Sequence, residues 1–481
     1  MSRLAGCVIV TQSNEMVGSR RGFLWLWAAT ACVAPGATGD YLLDAPHPRL
    51  LLAKRHRRLI ERERERRSLR WLQLESLLRG TRKLPEPGFA YALGYAAGGG
   101  EEYGRKAIDW ALDQGDDLRQ AAIVFDWCYG LLDERERRQL AAKLQAGLEK
   151  PRAADLASVQ ARVLAAAAVS GEIAGAPERE LQWAVETWWR GMVIPALRAG
   201  KDPFPREQTY PLVEIFHVIR DNLRIDLRRD ARKFFTSWPS YLLLTYYPAL
   251  YPAAENEYHI PLMRRPGRPD LRVAALARAA DLALVAYDPN SLEVQFLQGW
   301  AMQDSLMMRG PFGAPYEFLW ANPYHPGLSY YSAPLVHYDA KRGRLVARAS
   351  WDAGALWFYY GDGLMQTFEE GRIKPLTPEK FRLPLYLGGV AVAPFWGGRK
   401  FQITEENPRT FFLLGLLPRT RYDVEVDDEE LFEAATDAAG ILKLEFPHGR
   451  AVGVRIHEAP VGGGSGTGAG AGRRPQDRPG A

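Results

Sequence analysis

One stretch of the 481-residue chain places side chains suited to acid–base chemistry on the same side of a predicted helix. From Thr209 onward, at about 100° per residue, Tyr210, Glu214, His217 and Asp221 fall within roughly 60° of one another. A phenol, carboxylates and an imidazole are groups that enzymes use to move protons. The spacing indicates a stripe facing a cleft, with Tyr210 as catalytic base or acid, His217 as a supporting catalytic group and Glu214 as a substrate contact. The same pattern is also typical of an ordinary amphipathic helix with a solvated polar face.

A second group of candidate residues follows in a polar, proline-flanked segment. Arg264 and Arg265 form, with Arg268, a dense local basic patch near this segment. Guanidinium groups make paired hydrogen bonds to carboxylates and sulfates, so Arg264 and Arg265 are predicted to bind substrate. His259, on a predicted loop, is a catalytic candidate, and His337, near the predicted domain junction, is a substrate-binding one. A solvated loop is the alternative explanation for this segment.

A helical region and a β region must position these residues. The sequence predicts an N-terminal helical domain at 40–308 and an antiparallel β-sandwich domain at 336–458, because runs of helices followed by runs of strands favour separate domains. Residues 309–335 contain repeated Pro and Gly pairs and are predicted to be a linker. Asp133 followed by Glu136 predicts a capping box at one helix start. Apolar spacing predicts helices at 57–79, 101–114, 116–130, 133–149, 153–170, 177–199, 209–223, 228–237, 270–287 and 290–306.

Composition and charge limit the classes of protein. Hydrophobic residues make up 47% and charged residues 25% of the chain, as in ordinary globular proteins. The net charge is +5, of which residues 1–39 and 459–481 contribute +2 each, leaving +1 for the body between them. A nearly neutral body gives no overall attraction to nucleic acid or to an anionic membrane. No His, Cys and Asp cluster has the spacing of a zinc site, so neither a metal nor another cofactor is predicted.

Both ends of the chain are predicted to lie outside the folded domains. Arg20 and Arg21 precede an apolar run from Leu24 to Val33, followed by small residues, a pattern typical of a twin-arginine signal peptide over residues 1–39. The mature protein is therefore expected in the periplasm or outside the cell. A membrane anchor is the alternative, although the run is short for a bilayer and no later stretch is apolar enough to span one. The Gly-, Arg- and Pro-rich residues 459–481 are predicted to be a disordered tail.

Three segments of the helical region carry motifs that occur together in one family of enzymes. They are His47-Pro48-Arg49-Leu50-Leu51-Leu52, the apolar segment of residues 122–133 with Asp126-Trp127-Cys128-Tyr129, and Arg206-Glu207-Gln208-Thr209-Tyr210. These segments resemble heparinase II/III-like polysaccharide lyases, and the last is similar to the segment that carries the family's catalytic tyrosine. The resemblance implies a multidomain α then β protein, with an incomplete α/α toroid followed by an antiparallel β-sandwich. It also implies β-elimination on an acidic, uronate-containing polysaccharide, with Tyr210 as base or acid.

The chain departs from this family at two motifs that serve the reaction. Elimination needs the uronate carboxylate neutralised, a base for the adjacent proton and an acid for the departing oxygen. Members usually carry an Asn-His pair on a toroid helix, where this chain offers Gln160 and Arg162, an amide and a charge that are predicted to contact the substrate. Members also often carry His-x-His-x-Asp on a β-domain strand, where this chain has Gly361-Asp362-Gly363-Leu364-Met365-Gln366.

Three functions therefore stay open. The first is an exported polysaccharide lyase that uses Tyr210. The second is a relative that binds glycan without cleaving it, which the missing histidines favour. The third is a glycoside hydrolase on a toroid scaffold with two carboxylates among Glu207, Glu214 and Asp221, although hydrolysis needs two such groups facing each other at about 5–10 Å.

Overall fold

The order of secondary structure is helices first and strands afterwards. The computed structural model describes residues 41–303, 307–377, 380–394, 400–404, 406–446 and 451–458. Residues up to Trp320 are mainly helical and the rest are mainly strands, which confirms the predicted α then β layout. The toroidal arrangement of the helices stays a prediction. The predicted signal peptide at 1–39 and the predicted tail at 459–481 lie outside the described residues.

The helices follow one another with short connections. No helix in the described ranges is long and apolar enough to cross a bilayer. A π-helix at Trp183–Val193 joins α8 to α9. The bounds are α1 Lys54–Glu65, α2 Leu69–Arg79, α3 Pro87–Ala96, α4 Glu101–Asp113, α5 Leu118–Trp127, α6 Glu134–Glu149, α7 Leu156–Val169, α8 Ala176–Gln182, α9 Ile194–Arg198, α10 Thr209–Leu223, α11 Arg232–Leu244, α12 Leu271–Tyr287, α13 Leu292–Ala301 and α14 Gly313–Trp320.

Local side-chain chemistry sets where several helices begin. The capping box at the start of α6 is confirmed, because Asp133 accepts from the Glu136 amide at 2.8 Å and Glu136 accepts from the Asp133 amide at 2.9 Å. The single helix predicted at 57–79 is wrong, since it is divided into α1 and α2. Arg67 has a φ of 50°, and Ser68 caps the new helix.

The predicted linker at 309–335 contains a helix, so its assignment as a connection without an element is wrong. All residues of α14 are buried, and the helix packs against α2 and α12. Pro315 is its third residue, where the first turn tolerates a proline because the ring costs no intrahelical bond there. The Pro and Gly pairs that predicted a loop therefore surround a short core helix.

A β-hairpin interrupts the helical part where a polar loop was predicted. Strands β1 (Tyr246–Pro252) and β2 (Glu257–Pro261) pair in antiparallel fashion. Tyr258 and Ile260 are buried, so this segment is half-buried sheet. The expectation of a surface loop around His259 is thus wrong.

The remaining strands form three sheets. The first is an antiparallel meander with the order β3-β4-β5-β6-β7. The second has the order β14-β11-β9-β8, and the third has the order β10-β15-β12-β13. Their bounds are β3 Val336–Asp339, β4 Arg344–Arg348, β5 Trp357–Gly361, β6 Leu364–Glu369, β7 Arg372–Pro375, β8 Leu385–Leu387, β9 Val390–Pro394, β10 Lys400–Ile403, β11 Thr410–Leu414, β12 Arg421–Val426, β13 Glu430–Ala435, β14 Leu442–Glu445 and β15 Val452–Glu458.

The predicted sandwich is correct in being largely antiparallel but has one more layer and one parallel pair. Strands β9 and β11 run parallel, because the chain crosses to β10 in the third sheet between them and returns in the same direction. In β11, Phe411 and Leu413 pack towards the third sheet, while Phe412 and Leu414 pack towards the first. The second sheet is therefore the middle layer.

The first sheet also packs against the helices. Alternate residues of β5 face opposite sides, so Trp357 and Tyr359 join the helical core while Phe358 joins the β core. Trp357 Nε1 donates to the Leu244 carbonyl at 2.8 Å, and Tyr247 Oη donates to Gln366 at 2.8 Å. The two parts of the chain thus share a core at this contact.

Candidate functional site

Tyr210 lies in a closed polar network inside the helical part. Its side chain is 2% exposed. Its hydroxyl donates to Glu214 Oε1 in a short hydrogen bond and accepts from Trp320 Nε1 at 3.0 Å. Burial, followed by the neighbouring Glu214 carboxylate, raises the pKa of Tyr210 well above its ordinary value. The expectation that the stripe on α10 faces an open cleft is therefore wrong for Tyr210.

Glu214 and Gln160 complete this network. Arg119 donates to Glu214 through Nε at 2.8 Å and through Nη2 at 2.7 Å, and the Gln160 amide donates to the same carboxylate at 2.5 Å. All three side chains are buried. A carboxylate held by three donors and a phenol is satisfied within the protein. The structure brings Gln160 and Glu214 together with Tyr210, and Glu214 bonds to both of the other residues.

The other predicted residues of the helical core are also engaged in packing. His217 is buried, with Nε2 at 2.9 Å from the Ala283 carbonyl and its ring 4.6 Å from the ring of Trp320. Arg162 pairs with Glu180 at 2.7 and 2.8 Å and donates to carbonyls near the end of α6. Cationic donors at a helix C-terminus satisfy its free carbonyls, so Arg162 caps α6.

His259 is a half-buried strand residue. Its ring lies 4.5 Å from the ring of Trp300 and 6.0 Å from that of Tyr246. Burial, followed by the charge of Arg278, lowers the pKa of His259 to about 3. The imidazole is thus neutral at physiological pH, and the cavity beside it has a volume of about 10 Å³, room for one water molecule.

A larger cavity lies where the helical part meets the first sheet, and we call it the junction pocket. Its volume is about 220 Å³. It contains both apolar and charged walls, with three arginines and three carboxylates. Its lining residues are Asp202, Phe204, Pro205, Arg206, Glu207, Thr209, Trp238, Tyr241, Leu242, Thr245, Leu262, Arg264, Arg344, Asp362 and Leu364.

Arg206 lines this pocket and is only partly satisfied by its neighbours. Its side chain is 10% exposed and pairs with Asp281 through Nη2 at 3.0 Å, and its guanidinium lies over the ring of Tyr246 at 4.9 Å. Its Nε and Nη1, and the hydroxyl of the neighbouring Thr209, are buried without a hydrogen-bond partner among the described residues. Buried donors are normally satisfied, so Arg206 keeps hydrogen-bonding capacity that no described residue uses.

Arg344 joins the two sides of the pocket. Its Nη1 donates to Asp202 at 2.5 Å, and its Nη2 donates to Asp362 at 2.8 Å. Asp202 belongs to the helical side, whereas Asp362 occupies the turn between β5 and β6. That turn has two residues, Asp362 and Gly363, with φ values of 53° and 74°, the geometry of a type I′ hairpin that an Asp-Gly pair favours.

Tyr241 supplies a phenol to this pocket. Its hydroxyl is 3.5 Å from that of Tyr359, which in turn donates to Asp362 at 2.7 Å. Burial raises the pKa of Tyr241, and Arg344, whose guanidinium lies 5.4 Å from the Tyr241 ring, opposes that rise. The ring of His337 is 5.4 Å from the Tyr241 ring, and burial lowers the pKa of that histidine.

The two arginines predicted to bind substrate differ in their position relative to the pocket. Arg264 is exposed and lines the junction pocket, while the neighbouring Arg265 is exposed and does not. His337 lies beside the pocket, behind Tyr241. Thus Arg264 and His337 are at or next to one site, and Tyr210, His217, His259, Gln160, Arg162 and Glu214 are elsewhere in the helical core.

Sequence reasoning missed Arg206, Tyr241 and Arg344 as site residues. Arg206 stood in the tyrosine-containing segment, and its position just before a helix was a usable signal. The Asp362-Gly363 pair after a predicted strand was a usable signal for the turn that carries Asp362. Nothing in the local sequence marks Tyr241, because it occurs in an apolar helix segment. Within the described ranges, no group of three or more His, Cys, Asp or Glu side chains could hold a metal ion.

Comparisons with known proteins leave the family open. No protein-family model matches this chain. No curated protein matches it. Among solved structures, one chain described as "Glycoside hydrolase" matches at 10% identity, over 77% of this chain and 71% of that chain, with a TM-score of 0.29. A likeness that weak carries no argument about function, which has to be drawn from the site itself.

Proposed function

We propose that this chain binds an acidic, uronate-containing polysaccharide in the junction pocket and cleaves it by β-elimination. The observation that supports the proposal is the guanidinium of Arg206, buried at the pocket wall with two nitrogens unpartnered among the described residues. A sugar carboxylate is a suitable hydrogen-bond acceptor for this guanidinium. Arg264 adds an exposed positive charge at the same pocket.

The proposed chemistry assigns the proton transfers to Tyr241 instead of Tyr210. Arg206 and Arg264 neutralise the substrate carboxylate, which acidifies the adjacent carbon. That carbon loses its proton to the Tyr241 phenolate, a carbon–carbon double bond forms, the bond to the glycosidic oxygen breaks, and Tyr241 returns the proton to that oxygen. The neighbouring charge of Arg344 favours the phenolate. Export, as predicted from residues 1–39, would bring the chain to glycans outside the cytoplasm.

A second candidate is binding without cleavage. The burial of Tyr241 raises its pKa, which disfavours the phenolate that elimination needs. No histidine is among the described residues that line the junction pocket. Hydrolysis has less support, because Glu214 is bound to Arg119 and Asp221 is bound to Arg220 at 2.9 Å. Of the three predicted carboxylates, only Glu207 reaches the pocket.

The test is an elimination assay on purified protein with polygalacturonate, alginate, hyaluronan and heparin. The expected result is growing ultraviolet absorbance of an unsaturated product with at least one of these polymers. Tyr241→Phe should abolish that absorbance and keep binding, while Arg264→Ala should weaken binding. Arg265→Ala is the matched control, since it removes an equal charge from the same loop outside the pocket.

Three outcomes distinguish the candidates. Binding that depends on Arg264, with neither unsaturated product nor new reducing ends, supports the non-catalytic relative. New reducing ends without absorbance support hydrolysis. Equal effects of Arg264→Ala and Arg265→Ala would exclude the junction pocket as the binding site.

A further inference from the structure

A second, larger depression lies one turn earlier along the same face of α11, and we call it the basic groove. Its volume is about 910 Å³, and it runs between the helical part and strand β3. Its walls carry five cationic side chains and only two carboxylates. Its lining residues are Leu197, Arg198, Asp230, Ala231, Arg232, Lys233, Phe234, Ser237, Val336, His337, Tyr338, Asp339, Ala340, Lys341 and Arg342.

The two carboxylates of the groove are already paired. Asp230 bonds to Arg190 at 3.3 Å, and Asp339 bonds to Arg342 at 2.7 Å. By contrast, four exposed cations have no ion-pair partner in the part of the chain that the structure describes: Arg198, Arg232, Lys233 and Lys341. The groove thus holds a local excess of positive charge on a body that is almost neutral overall.

The position of two of these cations opposes helix stability. Arg232 and Lys233 are the first two residues of α11, whose first turn contains no acidic side chain. The N-terminal end of a helix carries partial positive charge, so cations there are unfavourable and anions are favourable. Two cations placed against this preference, beside a groove, increase the local attraction for an anion instead of stabilising the fold.

The groove adjoins the junction pocket through α11. Phe234 and Ser237 face the groove, whereas Trp238 and Tyr241 line the pocket. The two sets are about one helical turn apart, roughly 5.4 Å along the axis. A small cavity of about 10 Å³ beside Tyr241 and His337 separates them. That cavity admits one water molecule. Because a sugar cannot enter it, a polymer that occupies both sites has to cross the surface above this cavity.

We propose that the basic groove binds the segment of the acidic polysaccharide that flanks the residue held in the junction pocket. The identity of this ligand rests on the proposed function. The unpaired cations contact carboxylates or sulfates of successive sugars, and the half-buried ring of Phe234 offers apolar surface to a sugar face. Affinity should therefore rise with chain length beyond what the pocket alone can hold.

The experiment compares long heparin with a heparin tetrasaccharide, using the full chain and binding isotherms at low ionic strength. The groove variant combines Arg232→Gln, Lys233→Gln and Lys341→Gln. The matched control combines Arg82→Gln, Lys83→Gln and Lys150→Gln, exposed cations that line neither site. The groove variant should bind long heparin about tenfold more weakly, since each exposed charge contributes a few-fold. The control should change it less than twofold.

The tetrasaccharide and the pocket variant Arg264→Ala separate this inference from the proposed function. Tetrasaccharide affinity should be unchanged in the groove variant and reduced in Arg264→Ala. Equal affinities of the groove variant and the control variant for long heparin would overturn the groove proposal, whatever the pocket does. A groove effect with no effect of Arg264→Ala would keep the groove and overturn the pocket. No binding of long heparin to the unaltered protein would overturn the groove proposal, while the elimination assay with the four polymers decides the pocket proposal.

Discussion

Replacing Tyr210 by phenylalanine tests whether its phenol is structural or catalytic. The substitution keeps the ring and removes the hydroxyl that bridges Glu214 and Trp320. Glu214 keeps its bonds from Arg119 and Gln160, but Trp320 Nε1 loses its acceptor in a fully buried position. We expect Tyr210→Phe to destabilise the fold and to leave the junction pocket intact.

The size of the effect follows from these two contacts. A hydrogen bond to a charged group contributes about 1.5–3 kcal/mol, and an unsatisfied buried donor costs about 1–3 kcal/mol. The two contributions overlap because one hydroxyl makes both contacts, so the expected loss is about 2–4 kcal/mol. Tyr241→Phe is the comparison, since the Tyr241 hydroxyl makes a contact of 3.5 Å with Tyr359. Its expected loss is below about 1 kcal/mol.

The assay is urea unfolding followed by tryptophan fluorescence, with elimination activity measured well below the midpoint. With a slope of ~3 kcal/mol per molar, Tyr210→Phe should lower the urea midpoint by about 1 M. Its activity should stay within a few-fold of the unaltered protein, whereas Tyr241→Phe should be inactive and stable. A Tyr210→Phe variant that is inactive with an unchanged midpoint would refute this reasoning and return the catalytic role to Tyr210.

Three further predictions concern stability and are read from the same unfolding curves. Arg119→Met leaves the buried Glu214 carboxylate without its cation and should cost about 3–5 kcal/mol, more than Tyr210→Phe. Because the pKa of the half-buried His259 is lowered to about 3 from 6.5, the unfolded chain binds one more proton between these values. Stability should thus fall by up to about 1.4 kcal/mol per unit as pH drops below 6.5, and His259→Phe should make that slope shallower. Gly299→Ala would place a Cβ 1.9 Å from the carbonyl oxygen of Leu328 and should cost about 1–3 kcal/mol. An unchanged midpoint, or for His259→Phe an unchanged slope, would contradict the environment described for that residue.

The order of the two regions could be predicted because the period of the apolar pattern changes along the chain. Helical spacing precedes Met308, and β-branched or alternating segments follow residue 336. The capping box at Asp133 and Glu136 could be predicted for a similar reason, since both partners lie within one helical turn. Both predictions depend on contacts between residues close in sequence, which local patterns encode.

The environment of α10 could not be predicted in this way. Its apolar face and its polar face are both buried, because the helix packs between α7 and α12. The polar face meets Arg119, which lies 95 residues earlier in the chain. A sequence pattern shows that a face is polar but does not show whether water or a complementary charge covers it. The stripe was therefore assigned correctly as polar and incorrectly as open.

The pocket shows why the choice of variant matters for any test of function here. Arg344 lines the pocket and pairs with Asp202 on the helical side and Asp362 on the sheet side. Its replacement removes a charge that a ligand could use and also two ion pairs that hold the walls together. A loss of binding in an Arg344 variant would thus have two explanations. Arg264 has neither of these bonds and is exposed, so its removal changes the charge of the pocket while its walls stay in place. For that reason the comparison of Arg264 with Arg265 bears directly on ligand binding.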